Sequence, residues 1–149
     1  MAATLHEVGS FISPRAHHKH SEYIILNSEI FGLGEKTLLT LAQVARYHRR
    51  SEPKAKHEDF AALDADGKRV VRTLAGVLRV AIGLDRAHSG AVTGVSVAEG
   101  PRHDGDGSLV VELVAAPGAD VERERYSADE RKGLLAEVLG RDITFEVPS

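Results

Sequence analysis

Cysteine is absent from this chain, which excludes a disulfide framework, a thiolate metal site and a cysteine nucleophile, and fits a reducing compartment. Aromatic residues make up only 5%. That leaves little for stacking on bases, and with no recognised DNA- or RNA-binding motif, nucleic acid is a poor partner. No stretch approaches the ~20 apolar residues of a membrane span. The opening MAATLHEVGSF lacks both the basic n-region and the apolar run of a secretory signal. These absences lead us to expect a soluble, cytoplasmic chain. Several catalytic signatures are missing too. Gly32-Leu33-Gly34 has neither the flanking strand nor the glycine spacing of a phosphate loop and reads as a plain turn. The DGDG of Asp104 to Gly107 lacks the later acidic ligands of a calcium loop and reads as a hairpin turn. No G-x-S-x-G elbow supports a serine triad.

What is present suffices for a real core. At 149 residues and 42% hydrophobic content, the chain should bury roughly 68–70% of its unfolded surface. The net charge of −3 conceals an asymmetry: residues 1–90 carry 13 basic and 10 acidic side chains, residues 91–149 carry 6 and 12. The halves are therefore +3 and −6, so a polyanion would meet the first half.

The same division appears in the patterning. Ala2, Ala3, Leu5 and Val8 read as the last turns of a helix closed by Gly9, so that the chain looks cut at its start. After a loop over 10–16, a helix is predicted from His18 to about Asn27, and another over Glu35–Arg49 with Leu38, Leu41, Ala42, Ala45 and His48 on one face. Residues 50–59, with Pro53 and many charges, read as a loop. The longest helix is predicted from about Asp64 to His88, with Val70, Leu74, Val77, Leu78, Ala81, Ile82 and Asp85 forming the core stripe. Beyond Ser89-Gly90 the texture is β-branched: Val92, Val95 and Val97, then Leu109 to Val114, form a hairpin. Ser127 with Glu130 reads as a capping box before Leu134, Leu135 and Val138, with Gly140 as the stop and Ile143–Val147 as a last strand. The fold class is α+β, with a helical domain over 1–90 followed by a small β-β-α-β domain over 91–149.

Two constellations carry chemistry. Four histidines, His6, His17, His18 and His20, fall within fifteen residues. His6-Glu7, His20, His48 and Asp85 lie at or beside apolar stripes, and imidazole with carboxylate suits hard or borderline divalent ions. The plain alternative makes each histidine a polar tip bonded to a backbone carbonyl, with Asp85 paired to Arg86 or Arg79. The second constellation is a basic strip of Arg46, Arg49, Arg50, Lys54 and Lys56, extended along the long helix by Lys68, Arg69, Arg72, Arg79 and Arg86. Aligned guanidinium groups suit a string of phosphates, and the alternative here is an ordinary solvated face.

The strings LHEVG (Leu5 to Gly9), HHKHSEYIILNSEIFG (His17 to Gly32), ARYHRRSEPK (Ala45 to Lys54) and LAGVLRVAIGLDRAHSG (Leu74 to Gly90), in that order, closely resemble the C-terminal half of the exopolyphosphatase and guanosine pentaphosphate phosphohydrolase (Ppx/GppA) family. The β-rich tail is similar in arrangement to the small terminal domain of longer members. The resemblance implies that residues 1–90 are an HD-like helical domain, related to metal-dependent phosphohydrolases. His6-Glu7 would match their His-Asp pair, with Glu in place of Asp. Asp85 would match the distant acid, and His20 and His48 the extra histidines of two-metal members. The helix supplying the first histidine would lie before Met1. Members that cleave phosphoanhydride bonds resemble actin and sugar kinases in their N-terminal half, which matches nothing here.

The resemblance therefore implies an accessory module of such a hydrolase, not catalytic alone. It would bind inorganic polyphosphate or guanosine polyphosphate through Arg46, Arg49, Arg50, Lys54, Arg79 and Arg86 and support a homodimer. The alternatives are a stand-alone HD-type phosphohydrolase, holding a divalent metal ion on His6, Glu7, His20, His48 and Asp85, and a scaffolding fragment without ligand.

Overall fold

The computed structural model describes residues 1–49, 51–103 and 106–148. It is an α+β chain in which seven helices and one three-stranded sheet appear among the described residues, the helices leading and the sheet following. The chain divides into two compact units inside its longest helix, Met1–Ala75 and Gly76–Ser149.

The first unit begins with α1 (Ala2–Leu5) and a 3-10 turn at Val8–Phe11, followed by α2 (His17–Leu26), α3 (Glu35–Arg46) and α4 (Glu58–Ala61), and it ends in the first half of α5 (Ala65–Leu84). Its apolar cluster is Ile25, Leu41, Ala42 and Ala45, with Leu5, Leu26, Ile30 and Leu38 packed around it. Asp64 caps α5, its carboxylate accepting from the Gly67 backbone N–H at 2.7 Å, which satisfies one of the orphan donors of a helix start. Gly9 does not close a helix as predicted. A Cβ there would sit 2.2 Å from the His17 carbonyl oxygen and 2.3 Å from the Ser21 nitrogen, so glycine is required because the chain crosses α2 backbone to backbone.

In the second unit, β1 (Val92–His103) pairs antiparallel with β2 (Asp106–Ala115), and β3 (Ile143–Glu146) pairs parallel with β2. The predicted hairpin is present, but Asp104 and Gly105 at its turn lie outside the described residues. Two helices rather than one separate β2 from β3: α6 (Glu122–Asp129) and α7 (Gly133–Leu139). Ser127 lies within α6, and α7 starts after Lys132, so Ser127 and Glu130 form no capping box. Ser127 is buried instead, with both its Oγ and its carbonyl oxygen accepting from Arg131 Nη1 at 2.7 Å. The core gathers Leu113, Ala128, Ile143 and Phe145, with Val80, Leu84 and Leu135 against them.

The long helix is rotated from its predicted phase. Val70, Leu74 and Val77 are 40%, 47% and 47% exposed, while Val71, Ala75, Leu78 and even Arg79 are buried. Close contact explains it within the second unit: a Cβ on Gly83 would lie 2.6 Å from Ala128 Cα, and one on Gly76 would lie 3.0 Å from Leu135. Small residues let the helix sit against α6 and α7, so the buried face follows glycine and alanine rather than the bulkiest side chains.

Candidate functional site

The histidines of the first unit meet where α1, α2 and the end of α3 come together. Helical spacing on α2 lines up His18, Glu22 and Ile25, with His17 and Ser21 beside them, and all five are buried. His48 follows α3 by two residues and is also buried. Its ring lies 4.9 Å from that of His6, edge to face, and 5.2 Å from that of His17, stacked.

The proton positions follow from the partners. His17 Nδ1 lies between the Pro14 carbonyl oxygen at 3.2 Å, which can only accept, and Arg49 Nη1 at 3.3 Å, which can only donate, so it bonds one of the two according to its tautomer. His17 Nε2–H then donates to His48 Nε2 across 3.1 Å, and His48 Nδ1–H donates to the Ala45 carbonyl. His6 Nδ1–H donates to the Ala3 carbonyl at 2.8 Å. The result is a relay running His17, His48, Ala45. It needs His48 neutral, and burial, with the neighbouring His6, His17 and His18, pulls that imidazole down to about 4 despite the opposing Ala45 bond. His18 is likewise pulled down to about 4, first by burial and then by Arg46, Arg49, His17 and Lys19.

A second polar pair adjoins the histidines. Glu22 accepts from Gln43 Nε2 at 2.8 Å and is ion-paired with Arg46. Burial raises its carboxyl above the ordinary range, against the lowering pull of Gln43 and Arg46. Ser21 ties the layers together: its Oγ accepts from the buried Gly9 N–H at 2.9 Å and donates to the His6 carbonyl at 2.7 Å. Tyr47 is buried, 2.6 Å from His57 Nδ1 through its hydroxyl and edge-on to Phe60.

Of the predicted metal set, only His6 and His48 meet. Glu7 is exposed, with its carboxylate 4.0 Å from His6 Nε2. His20 is half-buried and packs its Cβ by Gly9. Asp85 does not end a buried stripe: it is exposed in the second unit, past the end of α5, and pairs with His88 at 3.2 Å. Both ring nitrogens of His48 are engaged, and among the described residues no group of three or more His, Asp or Glu side chains is placed to hold an ion. The donor set does not fit a metal centre in this arrangement.

A family model described as Ppx/GppA phosphatase, domain III, matches residues 1–109. The chain belongs to this family. A relative, the guanosine-5'-triphosphate,3'-diphosphate pyrophosphatase of Pseudoalteromonas translucida (strain TAC 125), is 31% identical over 80 residues, which are 54% of the chain and 15% of that protein. The chain thus aligns with only a small part of that relative's length.

Within this domain III module the basic strip is divided by use. Arg46 is taken by Glu22 and Arg49 leans on His17. Arg50 lies outside the described residues. Lys54 and Lys56 are exposed. Lys68 is half-buried, Arg69 lies 3.9 Å from Asp66, and Arg72 is half-buried. Arg79 is buried and Arg86 exposed past the end of α5, so the basic strip does not continue along α5 as one exposed row. His17, His18, Glu22 and Gln43 were missed as site residues. The spacing 18, 22, 25 beside 17 and 21 was the available signal. No described helix is long and apolar enough to cross a membrane.

Proposed function

We propose that this module binds a phosphate chain, inorganic polyphosphate or guanosine polyphosphate, on behalf of a Ppx/GppA-type phosphoanhydride hydrolase whose chemistry is carried by other parts of the enzyme. The observation that carries the reading is the family match over residues 1–109, read with a first unit that concentrates cations at the end of α3. Arg49 is half-buried there, and Lys54 and Lys56 follow it into solvent. Guanidinium and ammonium groups on one short stretch suit successive phosphates, and their attraction weakens as salt rises. The relative's name supports guanosine polyphosphate as one form of the ligand.

Self-association belongs to the same reading. Val70, Leu74 and Val77, at steps of four and three, leave an apolar line exposed on α5, the spacing by which helices pair.

Calorimetric titration with long-chain polyphosphate tests the binding. Arg49→Glu with Lys54→Glu should weaken it at least about tenfold, the cost of one or two charge-assisted contacts, and raising the salt should weaken the native protein too. Absence of binding at low salt overturns the proposal. Added manganese or zinc should leave the melting temperature unchanged; a rise accompanied by phosphatase turnover would instead establish a metal-dependent enzyme.

A further inference from the structure

The start of α2 is chemically inverted. Helix N-termini favour Asp and Glu, because the first N–H groups are unpaired and the dipole is positive there. This one opens His17, His18, Lys19, His20, with no acidic residue in its first turn and no side-chain cap. The positive end of a ten-residue helix is thus surrounded by imidazoles and an ammonium.

His18 makes the inversion costly. It is only 8% exposed, and its Nδ1 is buried with no hydrogen-bond partner. A buried polar atom left unpaired costs about 1–3 kcal/mol. The surroundings are cationic: Arg46, Arg49, His17 and Lys19 all disfavour a proton on this ring, with burial the largest influence. Glu22, the acid one turn along α2, is paired with Arg46 and held by Gln43, so those two charges offset each other and Arg49 and Lys19 remain as the cations near this ring. Arg49 Nη1 lies 3.3 Å from His17 Nδ1, and with five N–H groups the guanidinium keeps others to offer.

We propose that His18, Arg49 and the first-turn backbone of α2 form a binding site for a single phosphoryl-type oxyanion. Such an anion accepts from a neutral His18 Nδ1–H, from the Arg49 guanidinium and from the N–H groups at the helix start. It thereby supplies the missing partner and places negative charge where the dipole and the arginine favour it. The site deepens the phosphate-chain reading and rests on it for the ligand class, giving one terminal phosphate a fixed seat at the start of α2.

The probe is inorganic phosphate, titrated into the full chain and followed by amide NMR at neutral pH. Saturable shifts should centre on the His17 and His18 amides, because the Lys19 N–H already donates to the Ala16 carbonyl at 2.8 Å. Arg49→Met and His18→Leu should each weaken binding about tenfold or more, the loss of one charge-assisted hydrogen bond, while Lys36→Met, at a separate surface pair with Asp64, should leave it unchanged. Arg49→Met keeps the test intact if His18→Leu fails to fold. No saturable shift at these amides up to tens of millimolar phosphate overturns the site, as does equal binding by Arg49→Met; a buried water would then be the partner of Nδ1. Phosphate-site failure with polyphosphate binding retained removes this inference alone, whereas polyphosphate failure with phosphate seated at His18 removes the chain-binding reading alone.

Discussion

The two units are held together by different means. The second is an apolar core: Leu113, Ile143 and Phe145 are buried against Ala128 and the neighbouring helices, and glycine lets α5 approach α6 and α7 closely. The first pairs a smaller apolar cluster with an interior of histidines, a buried Glu22–Arg46 pair and Ser21 bridging two backbone groups. Buried polar networks are favourable only when every member is satisfied, and this one leaves His18 Nδ1 and Gln43 Oε1 without partners. A region that carries such a cost is where a ligand can do the most, whereas the apolar cluster of the second unit has little to offer a phosphate.

The comparison is open to perturbation from either side. The largest effect should come from Leu113→Ala, which opens a cavity in the second unit and should cost about 2–5 kcal/mol in chemical denaturation. Ser21→Ala strands the Gly9 N–H and the His6 carbonyl together, and should cost about 2 kcal/mol, with hydrogen exchange accelerating in the first unit. A loss as large as that of Leu113→Ala would mean that the polar network, not the apolar core, dominates stability.

Acid should then separate the units more gently. His18 and His48 sit near 4 when folded and near 6.5 when unfolded. Above pH 6.5 both states are neutral and nothing is lost. As pH falls from 6.5 towards 4 the unfolded chain binds protons that the folded chain refuses, so stability declines through that window and levels off below it. Between pH 7.5 and 5.5 the buried His48 alone should account for about 1 kcal/mol. Replacing His48 by Gln should flatten that slope, and an unchanged slope would show that His48 is not held neutral. The smallest stability change belongs to Leu74→Glu on the exposed line of α5, within about 0.5 kcal/mol. Light scattering should nonetheless show a loss of self-association, and a stable dimer in this variant would remove α5 as the contact.

Much of the fold was legible in advance. The predicted helices near 18–27, 35–49 and 64–88 correspond to α2, α3 and α5, and the hairpin and last strand to β1, β2 and β3. The four ordered strings pointed to the family that the match over residues 1–109 establishes. The phase of α5 differs from the expectation for one reason. Periodicity weighs large side chains, so it placed Val70, Leu74 and Asp85 inward, although Gly76 and Gly83 set the buried face. Gly9 reads as a helix stop because glycine is favoured just past helix ends, whereas in the structure it marks a backbone crossing.

The site was half legible. The crowd of histidines announced a polar centre, but choosing His20 over His17 and His18 required the rotation of α2 against α3. The plain alternative for His6 and His48, bonds to backbone carbonyls three residues before each, is what the structure contains.

Composition and residue order by themselves settled the absence of thiol chemistry, the helical first half with its β-rich tail, and the kinship, because these depend on local preferences and on identity along the chain. Tertiary structure alone decided that His17 and His48, 31 residues apart, are hydrogen-bonded, that Arg79 is buried, and that Asp85 faces solvent. Those outcomes depend on how closely two backbones can approach, which only the packing of neighbouring helices determines.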